Sequence, residues 1–241
     1  MKPSGFSLAW RKATESRLFL PLVALALILL FDLITIPGFF SIQTRDGNLY
    51  GSLIDIVRNG STVALLAIGM TLVIATGGVD LSVGAIMAIA ASVAALLMNP
   101  YVLAKELPPH LMSLINDPTF TFQPLWVVIL ATLLVATLCG VWNGILVAYV
   151  RIQAMVATLI LMIAGRGIAQ LITNGVRIQI FYEPYAFIGQ GWIVLPVSVY
   201  IVAIVFVLAW LFTRKTAIGL FIESVGVNFR SSYFAGISEK R

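Results

Sequence analysis

A single aspartate stands between two long apolar runs in the stretch ATGGVDLSVGAIMA, residues 75–88. A carboxylate inside a membrane can bind an ion or a substrate, and its cost means that it is usually functional. Asp80 also precedes a predicted helix start, where its carboxylate can accept backbone N–H bonds from Ser82 or Val83. The helix dipole favours a negative charge at that end. Capping explains all the residue types of this turn and is the preferred interpretation.

Three more polar side chains lie within apolar runs and are the candidates for a substrate path. Asn143 needs hydrogen-bond partners in a membrane, and a bond to a neighbouring helix is preferred over a place on a polar path. Arg166 and Gln170 are four residues apart, so they share one face of a helix. A guanidinium at membrane depth must face water or a partner. A structural pair with Asp80 or Asp32 is the alternative to a functional role.

Small residues at helical spacing form a second pattern. Gly140 and Gly144 give a GxxxG spacing, which lets two helix backbones approach closely in lipid. Helix packing is the preferred interpretation, and lining of a substrate path is the alternative. The chain has one histidine, His110, and one cysteine, Cys139, so we expect no metal site and no disulfide framework.

Helices that cross a membrane must position these residues. Hydrophobic residues make up 60% of the 241 residues and charged residues only 10%, with a mean hydropathy of +1.02. A soluble domain carries roughly 25% charged residues, whereas runs that fit a ~30 Å hydrocarbon core recur here. We therefore predict an all-α, polytopic transmembrane helical bundle. Six spans are predicted, at about Leu18–Ile36, Ser61–Thr76, Leu81–Met98, Leu125–Val150, Ala154–Thr173 and Ile193–Phe212.

The basic residues predict the orientation of these spans. With the N-terminus in the cytoplasm, ten Lys and Arg residues lie inside and four outside, as the positive-inside rule prefers. The short turns 77–80 and 151–153 are then cytoplasmic, and the loops 37–60, 99–124 and 174–192 face outward. The net charge of +5 reflects the same bias, so no nucleic-acid partner is expected. The first apolar run is predicted to be an uncleaved span, because no small-residue cleavage site follows it.

The chain therefore divides into three predicted segments. Residues 1–17 form a cytoplasmic N-terminal segment, residues 18–213 the transmembrane domain, and residues 214–241 a second cytoplasmic segment. This last segment is too short and too polar to span a membrane. It is predicted to form a short amphipathic helix around Val227–Ala235, and a charged tail lying on the membrane surface is the alternative.

Three stretches resemble the permease subunits of ribose-type sugar ABC importers. Residues 64–91 contain the family's glycine-rich turn followed by Asp-Leu-Ser, a variable residue and Gly. The matching residues are Gly78, Asp80, Leu81, Ser82 and Gly84. Residues 142–175 and 213–237 resemble the next part of the family and its cytoplasmic segment. The likeness is closest to permeases of the galactofuranose type and covers most of residues 18–237.

The resemblance implies transport without covalent chemistry, so the chain is not expected to be an enzyme or to hold a cofactor. Such permeases lie in the bacterial inner membrane and pair as two subunits around a central path. A periplasmic binding protein delivers the sugar, and a cytoplasmic ATPase subunit binds the ATP. Each permease docks on the ATPase through a coupling segment, which here would be about Glu223–Gly236. Its candidate residues are Glu223, Gly226, Asn228, Ser231, Ser232 and Gly236.

Two departures from the family pattern keep alternatives open. Tyr233 is bulkier than the usual residue, and Ser231-Ser232 replaces the usual Ala-Ala pair. Family members also continue with several more spans, whereas this sequence ends at Arg241, which indicates a C-terminally truncated copy. A truncated, non-transporting remnant is therefore one alternative. A secondary transporter is another, and it would use Asp80 as its intramembrane acid.

Overall fold

The regular structure of the chain is almost entirely helical. The computed structural model describes residues 16, 19–45, 47–98, 123–178, 180 and 182–236. The described helices are α1 (Phe19–Thr35), α2 (Ser52–Ala75), α3 (Val83–Met98), α4 (Leu125–Ala148), α5 (Ala154–Ile172), α6 (Glu183–Gln190), α7 (Val197–Lys215), α8 (Ala217–Val227) and α9 (Phe229–Phe234). A two-stranded antiparallel hairpin of β1 (Gln43–Arg45) and β2 (Asn48–Tyr50) is the other regular element.

The described helices have the length and surface of membrane spans. Four of them, α2, α4, α5 and α7, are long and apolar enough to cross a bilayer, and α1, α3 and α8 are shorter apolar helices. In each of these four helices, at most 28% of the apolar stretch is buried. Apolar side chains that point outward at this density are stable in lipid rather than in water. The predicted polytopic helical membrane protein is confirmed.

The predicted position of the second span is wrong at its N-terminal end. The helix begins at Ser52 rather than Ser61, so the polar residues Asp55 and Arg58 lie within it. Asp55 stands in the first turn, where the helix dipole favours a carboxylate. The part of the predicted loop that precedes it holds the hairpin, in which Gln43 pairs with Tyr50.

The sixth span is also displaced along the chain. It begins at Val197 rather than Ile193, because Pro196 occupies the N-cap position and pairs with Trp192 in an isolated bridge. It continues to Lys215 instead of stopping before Arg214. Basic side chains in a last helical turn interact favourably with the helix dipole, which explains the extension.

Two predicted loops have different outcomes. The loop at 174–192 contains the helix α6, which has Glu183 and Pro184 at its start. Proline fits the first turn of a helix because its missing N–H would have no partner there. The predicted loop 99–124 lies outside the described residues except for its last two. The predicted segment 1–17 is likewise outside them except for Ser16, and so are the last five residues of the predicted segment 214–241.

The chain forms two compact units, residues up to Val57 and residues from Arg58 onward. In the second unit α3 packs against both α4 and α5. Its buried residues are mostly small, namely Ala85, Ile89, Ala94, Ala95 and Met98. Small residues let helix backbones approach closely where hydrophobicity cannot drive association. At the C-terminal end of α3, Ala94 and Met98 form an apolar cluster with Val128 of α4.

Candidate functional site

The turn between α2 and α3 closes α2 with a Schellman motif. The Gly77 N–H donates to the Ile74 carbonyl at 2.9 Å, and the Gly78 N–H donates to the Val73 carbonyl at 3.2 Å. Gly77 has a φ of +79°, in the left-handed region where glycine meets no Cβ penalty. The two glycines of the sequence motif thus end the helix and reverse the chain. We call residues 75–82 the α2–α3 turn.

Asp80 holds the start of α3 through Ser82. Asp80 Oδ1 accepts the Ser82 N–H at 2.8 Å and the Ser82 hydroxyl at 2.6 Å. Ser82 occupies the N-cap position, since its carbonyl accepts the Ile86 N–H at 2.9 Å. Asp80 therefore lies two residues before the N-cap and forms an Asx turn. The hydrogen bond expected at Ser82 is present, and Gly84 follows within the first turn of α3.

Asn143 connects this turn to α4. Its Nδ2 donates to Ser82 Oγ at 2.8 Å, across 61 residues of sequence. Because the Ser82 hydroxyl proton is donated to Asp80, Ser82 Oγ can only accept from Asn143, which fixes the orientation of the amide. Both Ser82 and Asn143 are buried, with 0% and 6% exposure. The interhelical bond preferred for Asn143 is present.

The chain Asp80–Ser82–Asn143 leaves one polar atom without a partner. Asn143 Oδ1 is buried and accepts no hydrogen bond within the described residues. Within the described residues, the side-chain amide of Asn143 therefore hydrogen-bonds through its Nδ2 to Ser82 and not through its Oδ1. At this end the α3–α4 contact therefore depends on the Asn143–Ser82 hydrogen bond. Loss of that bond would leave a further buried polar group unpaired, at a cost of about 1–3 kcal/mol.

Two substitutions of Asp80 distinguish the contribution of its charge to stability from that of its hydrogen bonds. We expect Asp80→Asn to lower the free energy of unfolding by about 1 kcal/mol, because the amide oxygen still accepts both Ser82 bonds. Asp80→Ala removes the oxygen that accepts both bonds from the fully buried Ser82 and should cost about 2 kcal/mol. Denaturant titration of the detergent-solubilised chain measures the difference. Equal stability of the Asp80→Ala and Asp80→Asn variants would contradict the capping role.

The other two path candidates lie on a different surface. Arg166 and Gln170 are exposed on α5, whereas Gly165 and Ala169 beside them are buried. Within the described residues no ion pair joins Arg166 to Asp80, whose Oδ1 is occupied by Ser82. That suggested pair is not formed among the described residues. Asp32, the other suggested partner, is on α1. The three candidates do not converge on one site in this chain.

Gly165 has a packing role that the sequence alone does not reveal. A Cβ at this position would lie 2.9 Å from Ala85 Cβ and 3.2 Å from Ile89 Cδ1, both on α3. The glycine thus lets α3 approach α5 closely. The expected GxxxG packing of Gly140 and Gly144 is not made among the described residues, since a Cβ on either would meet none of their atoms within 4 Å.

The coupling segment forms two helices rather than one. The predicted helix at Val227–Ala235 is interrupted at Asn228, where α8 ends and α9 begins. Asn228 Oδ1 accepts the Ser231 N–H at 3.1 Å and so caps α9. The buried Ser232 hydroxyl is within hydrogen-bond distance of the Ser224 carbonyl, 2.8 Å, and the Asn228 carbonyl, 3.0 Å. These bonds hold α8 and α9 together, and we call the two helices (residues 217–234) the elbow.

The remaining coupling candidates occupy the surface of this elbow. Glu223, Asn228 and Ser231 are exposed. They border an open groove of about 460 Å³ between α8 and α9. Gly236 has a φ of +85° beyond the end of α9, where a left-handed residue is favoured. Gly226 faces away from this arrangement, because a Cβ on it would overlap the Ala75 carbonyl oxygen in α2.

Comparison with known proteins places the chain in a transport family. The family described as "Branched-chain amino acid transport system / permease component" matches residues 52–241, which includes the α2–α3 turn and the coupling segment. The chain belongs to this family. No solved structure matches the chain.

The described residues contain no group of three His, Cys, Asp or Glu side chains that could hold a metal ion.

Several relatives of this chain carry the names of sugars. It is 48% identical over 221 residues to the galactofuranose transporter permease protein YtfT of Escherichia coli K12, with 91% of this chain and 58% of that protein covered. It is 33% identical to the fructose import permease protein FruF of Bifidobacterium longum, with 96% and 61% covered. The ribose import permease protein RbsC of Haemophilus influenzae is also 33% identical, with 89% and 59% covered. The chain thus spans about three fifths of the length of these relatives.

Proposed function

We propose that this chain is a membrane-spanning permease subunit of an ATP-driven sugar importer of the galactofuranose or ribose type. The observation that carries the proposal is the 48% identity to a galactofuranose transporter permease over nearly the whole chain. The ribose, fructose and xylose names of further relatives widen the substrate class to pentoses and hexoses. The chain moves the sugar and breaks no covalent bond.

The partners follow from the same proposal. A cytoplasmic ATPase subunit supplies the energy and binds the ATP, a periplasmic binding protein delivers the sugar, and a second permease subunit completes the path. The elbow of α8 and α9 is the docking element for the ATPase, because it follows the last span and is held together by its own hydrogen bonds. This assignment puts the N-terminus and the elbow on the cytoplasmic side of the bacterial inner membrane.

The exposed polar side chains of α5 support a multi-subunit assembly. Arg166 and Gln170 point away from the core of this chain, at the depth of a membrane-spanning helix. A guanidinium facing lipid is costly, so it requires protein or water around it. In the proposed assembly this face of α5 borders the sugar path or a partner subunit.

ATP-dependent uptake in vesicles tests the proposal. The chain is reconstituted with its ATPase and binding protein, and uptake of labelled galactose, ribose and fructose is measured with and without ATP. We expect uptake that requires ATP and the binding protein. Uptake driven by a proton or sodium gradient without ATP would assign the chain to secondary transport, and the absence of any uptake would favour a non-transporting remnant.

The bonding of Asp80 argues against the secondary-transport alternative. An ion-coupling carboxylate needs free oxygen atoms on an accessible path. Asp80 Oδ1 instead accepts two short bonds from Ser82 at the end of a helix. Its environment is that of a structural cap.

A further inference from the structure

Gly226 of the elbow lies against the backbone of the α2–α3 turn. Gly226 of α8 approaches the backbone of Ala75, the last residue of α2, so closely that a Cβ would overlap the Ala75 carbonyl oxygen. The same Cβ would lie 3.6 Å from Thr76 Cα. Both contacts are with backbone atoms, which cannot move aside by changing a rotamer. Only glycine fits this position without displacing α8 from α2.

From this contact a short and well-bonded path leads into the helical core. Thr76 begins the Schellman turn, and six residues beyond it Ser82 begins α3. The hydrogen bonds of Asp80 and Asn143 to Ser82, at 2.6–2.8 Å, then tie the turn to α4. A displacement of α8 against Ala75 therefore reaches two further helices through backbone contact and three hydrogen bonds.

We propose that Gly226 is a positioning residue for energy coupling, and that the α2–α3 turn is the element through which the elbow moves the spans. The inference rests on the proposed function, in which the elbow binds the ATPase. It gives the sequence motif Gly78–Asp80–Ser82–Gly84 a second role besides ending and starting helices. Movement of α8 at the ATPase shifts the end of α2, and the Asp80–Ser82–Asn143 chain transmits the shift to α3 and α4.

The first experiment measures the contact in the chain alone. Spin labels are placed at Val79 on the turn and at Val227 on α8, both exposed, after replacement of Cys139 by Ala. We expect a single narrow distance distribution for the parent. Gly226→Ala should lengthen and broaden it, whereas the control Gly140→Ala, a glycine with open space around it, should leave it unchanged. An unchanged distribution for Gly226→Ala would overturn the contact.

The second experiment measures coupling in vesicles that contain the ATPase and the binding protein. We expect Gly226→Ala to keep ATP hydrolysis while sugar uptake per ATP hydrolysed falls severalfold. A purely structural defect would instead lower both rates together with the amount of assembled complex. If Gly226→Ala does not assemble, Ser82→Ala/Asn143→Leu cuts the path at its other end and should give the same loss of uptake per ATP.

The outcomes separate this inference from the proposed function. If the parent shows no ATP-dependent uptake, the proposed function fails whatever the variants do, and the spin-label distances still test the contact. If the parent transports and both variants keep the parental ratio of uptake to ATP hydrolysis, the coupling role is wrong. A lowered ratio in both variants, with normal assembly, supports it.

Discussion

Gly165→Leu should lower the free energy of unfolding of the solubilised chain by about 3 kcal/mol, the upper part of the usual range for overpacking. A Cβ alone would lie 2.9 Å from Ala85 Cβ, and the rest of a leucine side chain has no space to enter. The contact between α3 and α5 must therefore open, and it is a main contact in the second compact unit. Denaturant titration followed by circular dichroism measures the loss.

Gly167→Leu is the matched control, two residues along the same helix. A Cβ there meets no atom within 4 Å, so the added side chain points to open space. We expect a change of less than about 1 kcal/mol, with the better helix propensity of leucine acting in its favour. Equal losses for the two variants would show that the contact with Ala85 does not determine the result.

Ser82→Ala should cost more than its size suggests, about 2 kcal/mol. The substitution leaves Asn143 Nδ2 buried without an acceptor beside an Oδ1 that already has no partner. The double variant Ser82→Ala/Asn143→Leu removes the stranded amide and should recover most of the loss. Asn143→Leu alone leaves the Ser82 hydroxyl bonded to Asp80 and is expected to be nearly neutral.

A double-mutant cycle over these three variants measures the coupling of Ser82 and Asn143 directly. Residues in one hydrogen-bond network show interaction energies of about 0.5–3 kcal/mol. A coupling energy near zero would mean that the two side chains do not interact, and it would also remove the α4 end of the proposed path from Gly226. The same variants therefore test stability and the further inference independently.

Two helix starts were predictable because a breaker or a turn bounds the apolar run. Pro124 precedes α4 and Gln153 precedes α5, and both helices begin at the predicted residue. The start of α2 was not predictable in this way. Asp55 and Arg58 are typical of a loop between membrane spans, yet they continue the helix toward the hairpin. Polar residues at a membrane surface are compatible with both structures, so composition cannot decide between them.

In the candidate site, the local contacts were predictable from the sequence and the distant contacts were not. The Asp80–Ser82 bonds join residues two apart and follow from the motif itself. The Ser82–Asn143 bond spans 61 residues, and the contact of Gly226 with Ala75 spans more than twice that separation. Such contacts depend on how the helices pack. The spacing of Gly140 and Gly144 indicated packing that the described residues do not make, whereas Gly165 packs closely without such a pattern.

The helical and buried position of Asn143 also disfavours its deamidation. The sequence contains three Asn-Gly pairs, at Asn59, Asn143 and Asn174, and this dipeptide deamidates readily when the glycine nitrogen can attack the side-chain carbonyl. Asn174 is exposed in a turn with a φ of +52°, whereas Asn143 lies inside a helix with its carbonyl oxygen shielded from water. Conversion of Asn143 to aspartate would put a second carboxylate beside Asp80. The fold therefore keeps Asn143, like Asn59 on α2, inside a helix, whereas Asn174 lies in an exposed turn.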